Sequence, residues 1–371
     1  MFCGTIQRML AFLLLFPFVF SDAEFLKVLL DDESVWHTLA DEAIPPEQDL
    51  EALKILADKL ARWVLRSYLK EHATTLHGTV VFVTKHDTLY RCTMKQDNGV
   101  IDIYTPFLPK AWNEGGPMQE RSAAFGVYVK TYKNTPVFLA PAMRWYPDTW
   151  LGNLGFDVAS FDQVPVGRVT ELEQHDEETN RRMFKFTEAD WDPFYGLLKA
   201  ISNAPKELLE EEAKKQQAEM PIGVTDLFNH PHKVRSKAVM LRGTAKRVVP
   251  TPVTDSEVQT LFGIDHYYQI FLFSEQSQGN PIVVCVRELP EGMPTGSADD
   301  FAETITVAAV PYKLWIYETT AGPHYAPLLV GQTPVWHPKP RPPQSITNFS
   351  FTFFFVLVLI WFGCRLWARR K

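Results

Sequence analysis

The feature that most constrains this chain is a repeat: the stretch from Leu76 to Pro147 is matched block by block by the stretch from Leu241 to Pro338. Each copy opens on a Gly-Thr segment, Leu76-His77-Gly78-Thr79 and Leu241-Arg242-Gly243-Thr244, and later reaches a Leu-Pro pair, Leu108-Pro109 and Leu289-Pro290. A β-type run follows in each, Phe125 to Tyr132 and Ile305 to Tyr317. The copy then closes on an apolar run that ends in Trp-x-Pro, Pro136 to Pro147 and Ala326 to Pro338. Self-similarity on this scale signals two copies of one folding unit, so the chain reads as paired modules rather than one large core.

Module one alternates apolar and polar residues as half-buried strands do, over Thr79 to Val83, Leu89 to Met94, Val100 to Tyr104, Phe125 to Tyr132 and Val137 to Ala140. Asp97-Asn98-Gly99 between the second and third runs is a hairpin signal, because Asn-Gly takes up positive φ easily. Module two repeats the layout with Ala238 to Val249, His266 to Phe273, Ile282 to Val286, Ile305 to Tyr317 and Leu328 to Val330, its hairpin falling at Gln276 to Asn280. Five short strands, a Gly in the first and a variable loop after the third predict a small, partly open barrel of the OB kind; a generic β-sandwich or another small barrel competes with it. The loop after the third strand spans Trp112 to Ser122 in one copy and Glu291 to Glu303 in the other.

Both ends of the chain carry membrane signals. Arg8 precedes the apolar stretch Met9 to Phe20, with Ser21 and Ala23 behind it, the pattern of an export signal cleaved after Ala23; an uncleaved anchor is the competing reading. Phe349 to Cys364 is uncharged and rich in Phe, Val, Leu and Ile, and with Ile346 to Asn348 it has the length a bilayer span requires. Arg365, Arg369, Arg370 and Lys371 follow, which places that end in the cytoplasm and makes the topology type I. Setting those four cations aside takes the formal charge of −7 to about −11 for residues 24–364. An acidic ectodomain argues against nucleic acid as a partner. Of the four cysteines only Cys92 and Cys285 fall in the ectodomain, at different places in the two copies; two buried thiols are expected rather than a repeated disulfide framework, though a single bridge between them is possible.

Around the modules the pattern turns helical. Leu50, Leu53, Leu56, Leu60, Trp63, Val64 and Leu69 make an amphipathic stripe that packs on module one. Thr187-Glu188-Ala189-Asp190 is a capping-box pattern ahead of the apolar face Trp191, Phe194, Leu197, Leu198 and Ile201. Pro205 and Pro221 bracket a charged helix, Lys206 to Met220, in which Glu210 precedes Lys214 and Glu211 precedes Lys215 by four residues. Prolines 338, 340, 342 and 343 make a stiff stalk before the span.

No linear motif assembles an active site. His230-x-His232 is interrupted by Pro231 and has no Cys or acidic pair nearby in sequence to complete a site, and no Gly-x-Ser-x-Gly elbow or Gly-rich phosphate loop occurs. Asp190 and Asp192 lie two apart on a helix and so face different ways, which leaves capping as the simpler role for Asp190. No cofactor, metal or catalytic residue is therefore expected. The preferred contact region is the loop Pro290, Glu291, Gly292, Met293, Pro294 and Gly296, whose Gly and Pro residues fix an exposed conformation; a plain structural turn is the alternative.

Several segments of module two, Val239 to Ala245, Tyr267 to Phe273, Val283 to Val286, Glu288 to Gly296 and Ala326 to Val330, resemble a family of planctomycete exported, membrane-anchored proteins with no established activity. The resemblance implies a bacterial envelope setting and supplies no catalytic residues. Module one departs from it, with Leu108-Pro109-Lys110-Ala111-Trp112 in place of the Gly-containing loop. The whole reading is an α+β protein: a signal (residues 1–23), a helical lead (24–70), module one (71–150), a linker and helical spacer (151–223), module two (224–336), a stalk (337–345), a membrane helix (346–366) and a basic tail (367–371). Its expected role is non-catalytic, the paired modules holding a protein or glycan partner outside the cytoplasm with the lipid bilayer as anchor. An enzyme with a site at the module interface and a structural spacer are the alternatives.

Overall fold

The structure, a computed structural model, describes residues 39–60, 73–167, 177–298, 300–319 and 322–338, together with Phe353, Phe354, Leu357, Val358, Trp361 and Arg365. The architecture is α+β, with two six-stranded sheets and helices packed on them. Module 1 comprises β1 (Thr74–His86), β2 (Leu89–Gln96), β3 (Gly99–Thr105), β4 (Pro117–Tyr132), β5 (Thr135–Leu139) and β6 (Met143–Trp145). Module 2 comprises β7 (Val239–Pro252), β8 (His266–Phe273), β9 (Ile282–Val286), β10 (Glu303–Thr319), β11 (Gly322–Gly331) and β12 (Val335–His337). Their strand orders are the same. In module 1, β1 pairs β2, β2 pairs β3, β3 runs parallel to β5, β5 pairs β4, and β4 returns to β1, so five strands close into a ring. Strands β7, β8, β9, β11 and β10 close in the same way, again with one parallel pair.

Five strands per copy are expected from the sequence, and the structure has six. The closing apolar run splits into two, and its second part, β6 or β12, pairs with β4 or β10 alongside the ring. Three residues are too few to show a period of two, which is why this strand is hidden in the pattern. The fourth strands also begin early: β4 starts at Pro117, so much of the segment expected to be loop is ladder, and its first five residues alternate between exposed and half-buried. His337, expected in the stalk, closes β12, with Nε2 3.0 Å from Thr306 Oγ1.

Register makes the duplication atomic. Gly78 and Gly243 occupy one position on the first strand. A Cβ there would come within 2.4 Å of the carbonyl oxygen of Lys95 or of Phe273, closer than any side chain tolerates. Two residues on, both strands carry a β-bulge, between Val80 and Phe82 and between Ala245 and Arg247, and the fourth strands carry another, between Tyr128 and Lys130 and between Pro311 and Lys313. Bulges bend a strand so that a small sheet can close on itself. Trp145 and Trp336 each donate an indole hydrogen bond of 2.7 Å, to Glu120 and to Glu303, from corresponding places. Inside the rings Val80, Cys92, Met94, Ile103 and Phe138 of module 1 are answered by Ala245, Ile270, Leu272, Val284 and Leu329 of module 2.

The repeat begins earlier than the sequence blocks suggest. α1 (Leu50–Leu60) and α4 (Trp191–Asn203) each follow a 3-10 turn that ends beside an aspartate, Asp49 or Asp190. Counted from that aspartate, Leu53, Leu56, Ala57 and Leu60 correspond to Phe194, Leu197, Leu198 and Ile201, and all eight are buried. They cover corresponding outer positions of their rings: Tyr104, Val127, Val129, Val137 and Leu139 in module 1, and Cys285, Val310, Tyr312, Leu328 and Val330 in module 2. Each such leucine contributes about 2 kcal/mol by leaving water.

A buried lysine pins each helix. Lys130 Nζ donates to Ile44 O (2.9 Å) and Asp41 O (3.1 Å) and lies 3.6 Å from Asp49 Oδ2. Lys313, directly after the matching bulge, donates to Lys185 O (3.0 Å) and to both Asp190 oxygens (3.1 and 3.2 Å). Ile44 and Lys185 both stand five residues before their aspartate. The capping box is present, Thr187 donating through N and Oγ1 to Asp190 Oδ2, but it opens a 3-10 turn and the α-helix starts at Trp191.

Between the modules lie α2 (Trp150–Asn153) and α3 (Glu177–Phe184), and after α4 come α5 (Lys206–Glu219), α6 (Val224–Asn229) and α7 (Pro231–Val234), with α8 (Ser256–Phe262) inside module 2. On α5 Glu210 reaches Lys214 at 4.0 Å. Arg235 ties the linker to module 2: it donates to Phe161 O and Val164 O on one side and Tyr312 O on the other, and burial lowers its pKa to about 10. Cys92 and Cys285 are both buried and unpaired, one inside ring 1 and the other on the outer side of β9, and burial pushes both thiols up. The export signal and the stripe residues Trp63, Val64 and Leu69 lie outside the described residues. So does the membrane span, apart from the six positions named above, all helical. Among the described residues no helix is long and apolar enough to cross a membrane.

Candidate functional site

The fourth and fifth strands differ in reach between the copies. In module 1 the β4–β5 hairpin turns after Tyr132 and Thr135 through Lys133 and Asn134, both at positive φ. In module 2 β10 and β11 continue for four further pairs, from Ile316–Tyr325 to Thr319–Gly322, as a two-stranded arm. Side chains alternate across such a ribbon. Leu314 and Ile316 pack with Phe184 of α3, whose ring meets Tyr325 edge-on at 5.2 Å. Trp315 and Tyr317 take the other face, partly exposed, stacked at 5.6 Å with 30° between their planes, and His324 lies 5.9 Å beyond Tyr317.

This row runs onto the sheet. Tyr317 meets Phe271 of β8 edge-on at 5.7 Å. Arg247, at the bulge of β7, lies over the Phe271 ring at 5.0 Å, and its neighbour Lys246 lies over Phe273 at 4.8 Å. Burial raises the pKa of Tyr317, with Arg247 pulling the other way. The result is a fixed aromatic surface with two cations laid flat on it, held from behind by the apolar face of the arm. Such a surface can stack on planar or ring-shaped apolar faces and pair with negative charge.

On module 1 the outer side of the first three strands is polar instead. Arg91 Nη1 donates to Glu47 Oε1 (2.6 Å), which also accepts from Tyr104 OH (3.0 Å), and Thr93 Oγ1 donates to Asp102 Oδ1 (2.8 Å). Burial would raise Glu47, but backbone, Tyr104 and Arg91 interactions outweigh it and hold the carboxyl below its ordinary value. Burial raises Asp102, offset in part by Thr93 and Arg91. Thr84 Oγ1, His86 Nε2 and Arg91 Nε are buried there without a hydrogen-bond partner among the described residues.

The loop singled out in the sequence is divided by the structure. Met293 is buried in the interior of ring 2, its amide donating to Pro290 O (3.0 Å), and Gly296 exchanges both backbone hydrogen bonds with Val248 (2.8 and 2.9 Å). Glu291, Gly292 and Pro294 stay exposed, and Gly292 has φ +77°. Module 1 makes matching contacts with different residues and a different backbone path: Trp112 N donates to Pro109 O (3.0 Å), Trp112 is buried, Gly115 N donates to Val83 O (3.1 Å), and the positive φ falls at Gly115 rather than two residues after the proline. In both copies the third residue after the proline plugs one end of the ring. His230 Nδ1 lies 3.4 Å from Asp226 Oδ1, and among the described residues no group of three His, Cys, Asp or Glu side chains could hold a metal ion. A cleft of about 180 Å³ between α5 and the outer side of β7, β10 and β12 is lined by Lys206, Glu210, Met240, Thr306 and His337. It is below the size of ordinary small-molecule sites, and it belongs to module 2 rather than to the junction of the modules.

Tyr317 ends a run read from sequence only as strand. The available signal was length, since Ile305 to Tyr317 outruns the strands of a small closed sheet and carries apolar residues on both faces of its last turn of alternation. No protein-family model matches the chain, and no curated protein matches it either.

Proposed function

We propose that this is an exported, single-pass membrane protein with no catalytic role, whose paired modules, small closed barrels of the OB kind, hold a glycan or protein partner outside the cytoplasm. The observation that carries the reading is the arm of module 2, with Trp315 and Tyr317 stacked and partly exposed beside Phe271 and Arg247. Small barrels with this strand order and its parallel third and fifth strands use the sheet face and the hairpin after the fourth strand to hold oligosaccharides and oligonucleotides. Strand order alone is a weak warrant. The aromatic row sits on that hairpin and that face, and the acidic chain disfavours nucleic acid.

Anchoring fits the described helical positions near the C-terminus, where Phe353, Phe354, Leu357, Val358 and Trp361 are exposed and Arg365 lies over the Trp361 ring at 5.0 Å. Exposed apolar residues at this density are what a lipid-facing helix presents. The envelope setting implied by the planctomycete-like segments belongs to the same proposal.

The test is co-sedimentation of the detergent-solubilised full-length protein with an insoluble cell-envelope fraction. The arm variant Trp315→Ala with Tyr317→Ala is compared with the loop-tip variant Glu291→Ala with Pro294→Ala, after both are shown to fold. Loss of retention by at least tenfold in the arm variant supports the reading. Retention equal to the parent in the arm variant would move the contact surface elsewhere, and loss in the loop-tip variant alone would assign it to the Pro290–Gly296 loop.

A further inference from the structure

We infer that the arm of module 2 takes an acidic glycan, a sugar chain bearing carboxylate or phosphate groups, with Trp315 and Tyr317 stacking on sugar rings and Lys246 and Arg247 pairing with the acid groups. The inference rests on the binding role proposed for the same surface and adds the chemistry of the ligand.

The duplication supplies the main argument. The bulge positions that hold Lys246 and Arg247 in module 2 hold Val81 and Phe82 in module 1, and Phe271 and Phe273 face Thr93 and Lys95 in the corresponding register. The bulge therefore folds without cations, and the strand beside it folds without these aromatics. Neither cation has a carboxylate within ion-pair distance among the described residues, although the chain carries 44 acidic side chains against 37 Lys and Arg. A Lys-Arg pair with no carboxylate partner among the described residues, kept flat against Phe rings at 4.8 and 5.0 Å on an acidic protein, is a local reversal of sign beside an aromatic platform. Stacking suits the apolar faces of sugar rings, and Arg pairs with carboxylate or phosphate in a planar, bidentate way. A neutral glycan would offer the two cations no negative charge to pair with. A nucleic acid would meet the repulsion of the remaining surface with only two cations to offset it.

The experiment is calorimetric titration of the full-length protein in detergent with three probes: an oligogalacturonate, a neutral cello-oligosaccharide of the same length, and poly-glutamate. The expected result is at least tenfold tighter binding of oligogalacturonate than of the neutral sugar, weakening as salt is raised. Lys246→Gln with Arg247→Gln should bring oligogalacturonate down to the neutral level, and Trp315→Ala should weaken both sugars while leaving the near-ultraviolet circular dichroism otherwise intact. Equal binding of the two sugars by the parent would overturn the acid preference and leave the glycan reading standing. Poly-glutamate binding as tightly as oligogalacturonate, and surviving Trp315→Ala, would show mere charge attraction and overturn the inference. If neither sugar binds while arm-dependent retention on the envelope fraction persists, the ligand is not a glycan of this class and the inference alone falls.

Discussion

The two modules solve the same packing problem and diverge where packing makes no demand. Both keep a Gly at the close approach of first and second strands, a bulge two residues later, a plug residue after the Leu-Pro pair, and a Trp–Glu hydrogen bond of 2.7 Å. Both dock a helix through the same spacing and hold it with a buried lysine. On the outer side of the second and third strands the pattern breaks. Arg91, Asp102 and Tyr104 of module 1 stand where module 2 has Gln269, Val283 and Cys285, so the first copy has a polar network, while in the second Val283 and Cys285 join an apolar layer pressed under its helices. The arm and the cations at the bulge exist only in module 2. Positions that shape the ring and its helix contact are shared; positions that face outward carry the specialisation.

The pins offer the sharpest way to break the comparison. Asp190 is fully buried and reached through both oxygens, whereas Asp49 is met only at 3.6 Å and Lys130 leans mainly on backbone carbonyls. Removing the partner of a buried charge costs about 3–5 kcal/mol. Lys313→Met should lower unfolding free energy by that amount, and Lys130→Met by about 2–3 kcal/mol, the loss of hydrogen bonds to a charged group. Urea denaturation of both variants decides it, and a Lys130→Met loss equal to or larger than that of Lys313→Met would mean the pins are not graded as their geometry suggests.

The linker that follows module 1 carries a second asymmetry. Asp157 caps the turn Val158–Gln163 and accepts from Trp145 N (2.8 Å) and Ala159 N (3.1 Å), yet burial raises its pKa to about 6, the hydrogen bonds only partly opposing. An acid whose folded pKa exceeds its unfolded value binds more protons when folded. Stability should therefore fall as pH rises from about 4 to about 6 and level off above, by up to about 3 kcal/mol. Asp157→Asn keeps an acceptor oxygen and removes the charge, so it should flatten this window and raise stability at pH 7. An unchanged pH profile in that variant would rule the group out as the source.

The smallest effect tests the symmetry itself. Trp145→Phe and Trp336→Phe each delete one hydrogen bond to a partly exposed glutamate and should each cost about 1 kcal/mol. Losses that differ by more than about 1 kcal/mol would show that the two closures are not energetically equivalent.

Some of this was legible in the sequence because it is local. The Gly-Thr openings, Leu-Pro pairs and Trp-x-Pro endings mark turns, bulges and plugs, features that a few adjacent residues determine, and the stripe Leu53, Leu56, Leu60 announces its helix by period alone. The loop Pro290–Gly296 was visible for the same reason, but whether it faces solvent or the core was not, because Met293 turns inward only once a ring exists to receive it. The grouping was illegible: Phe271, Tyr317 and Arg247 come from three strands, and nothing in their spacing relates them.

What the sequence by itself determined is the duplication, the strand-rich modules and the helices between them, because periodicity and turn chemistry act over a few residues. Only the tertiary structure decided that the repeat includes the helices, since that rests on Lys313 meeting Asp190 across 123 residues of chain and on its counterpart in the first copy. It also decided which copy carries the aromatic row. Ring closure and the continuation of β10 and β11 past the bulge set which side chains share a face, and that is a property of strand register rather than of residue order.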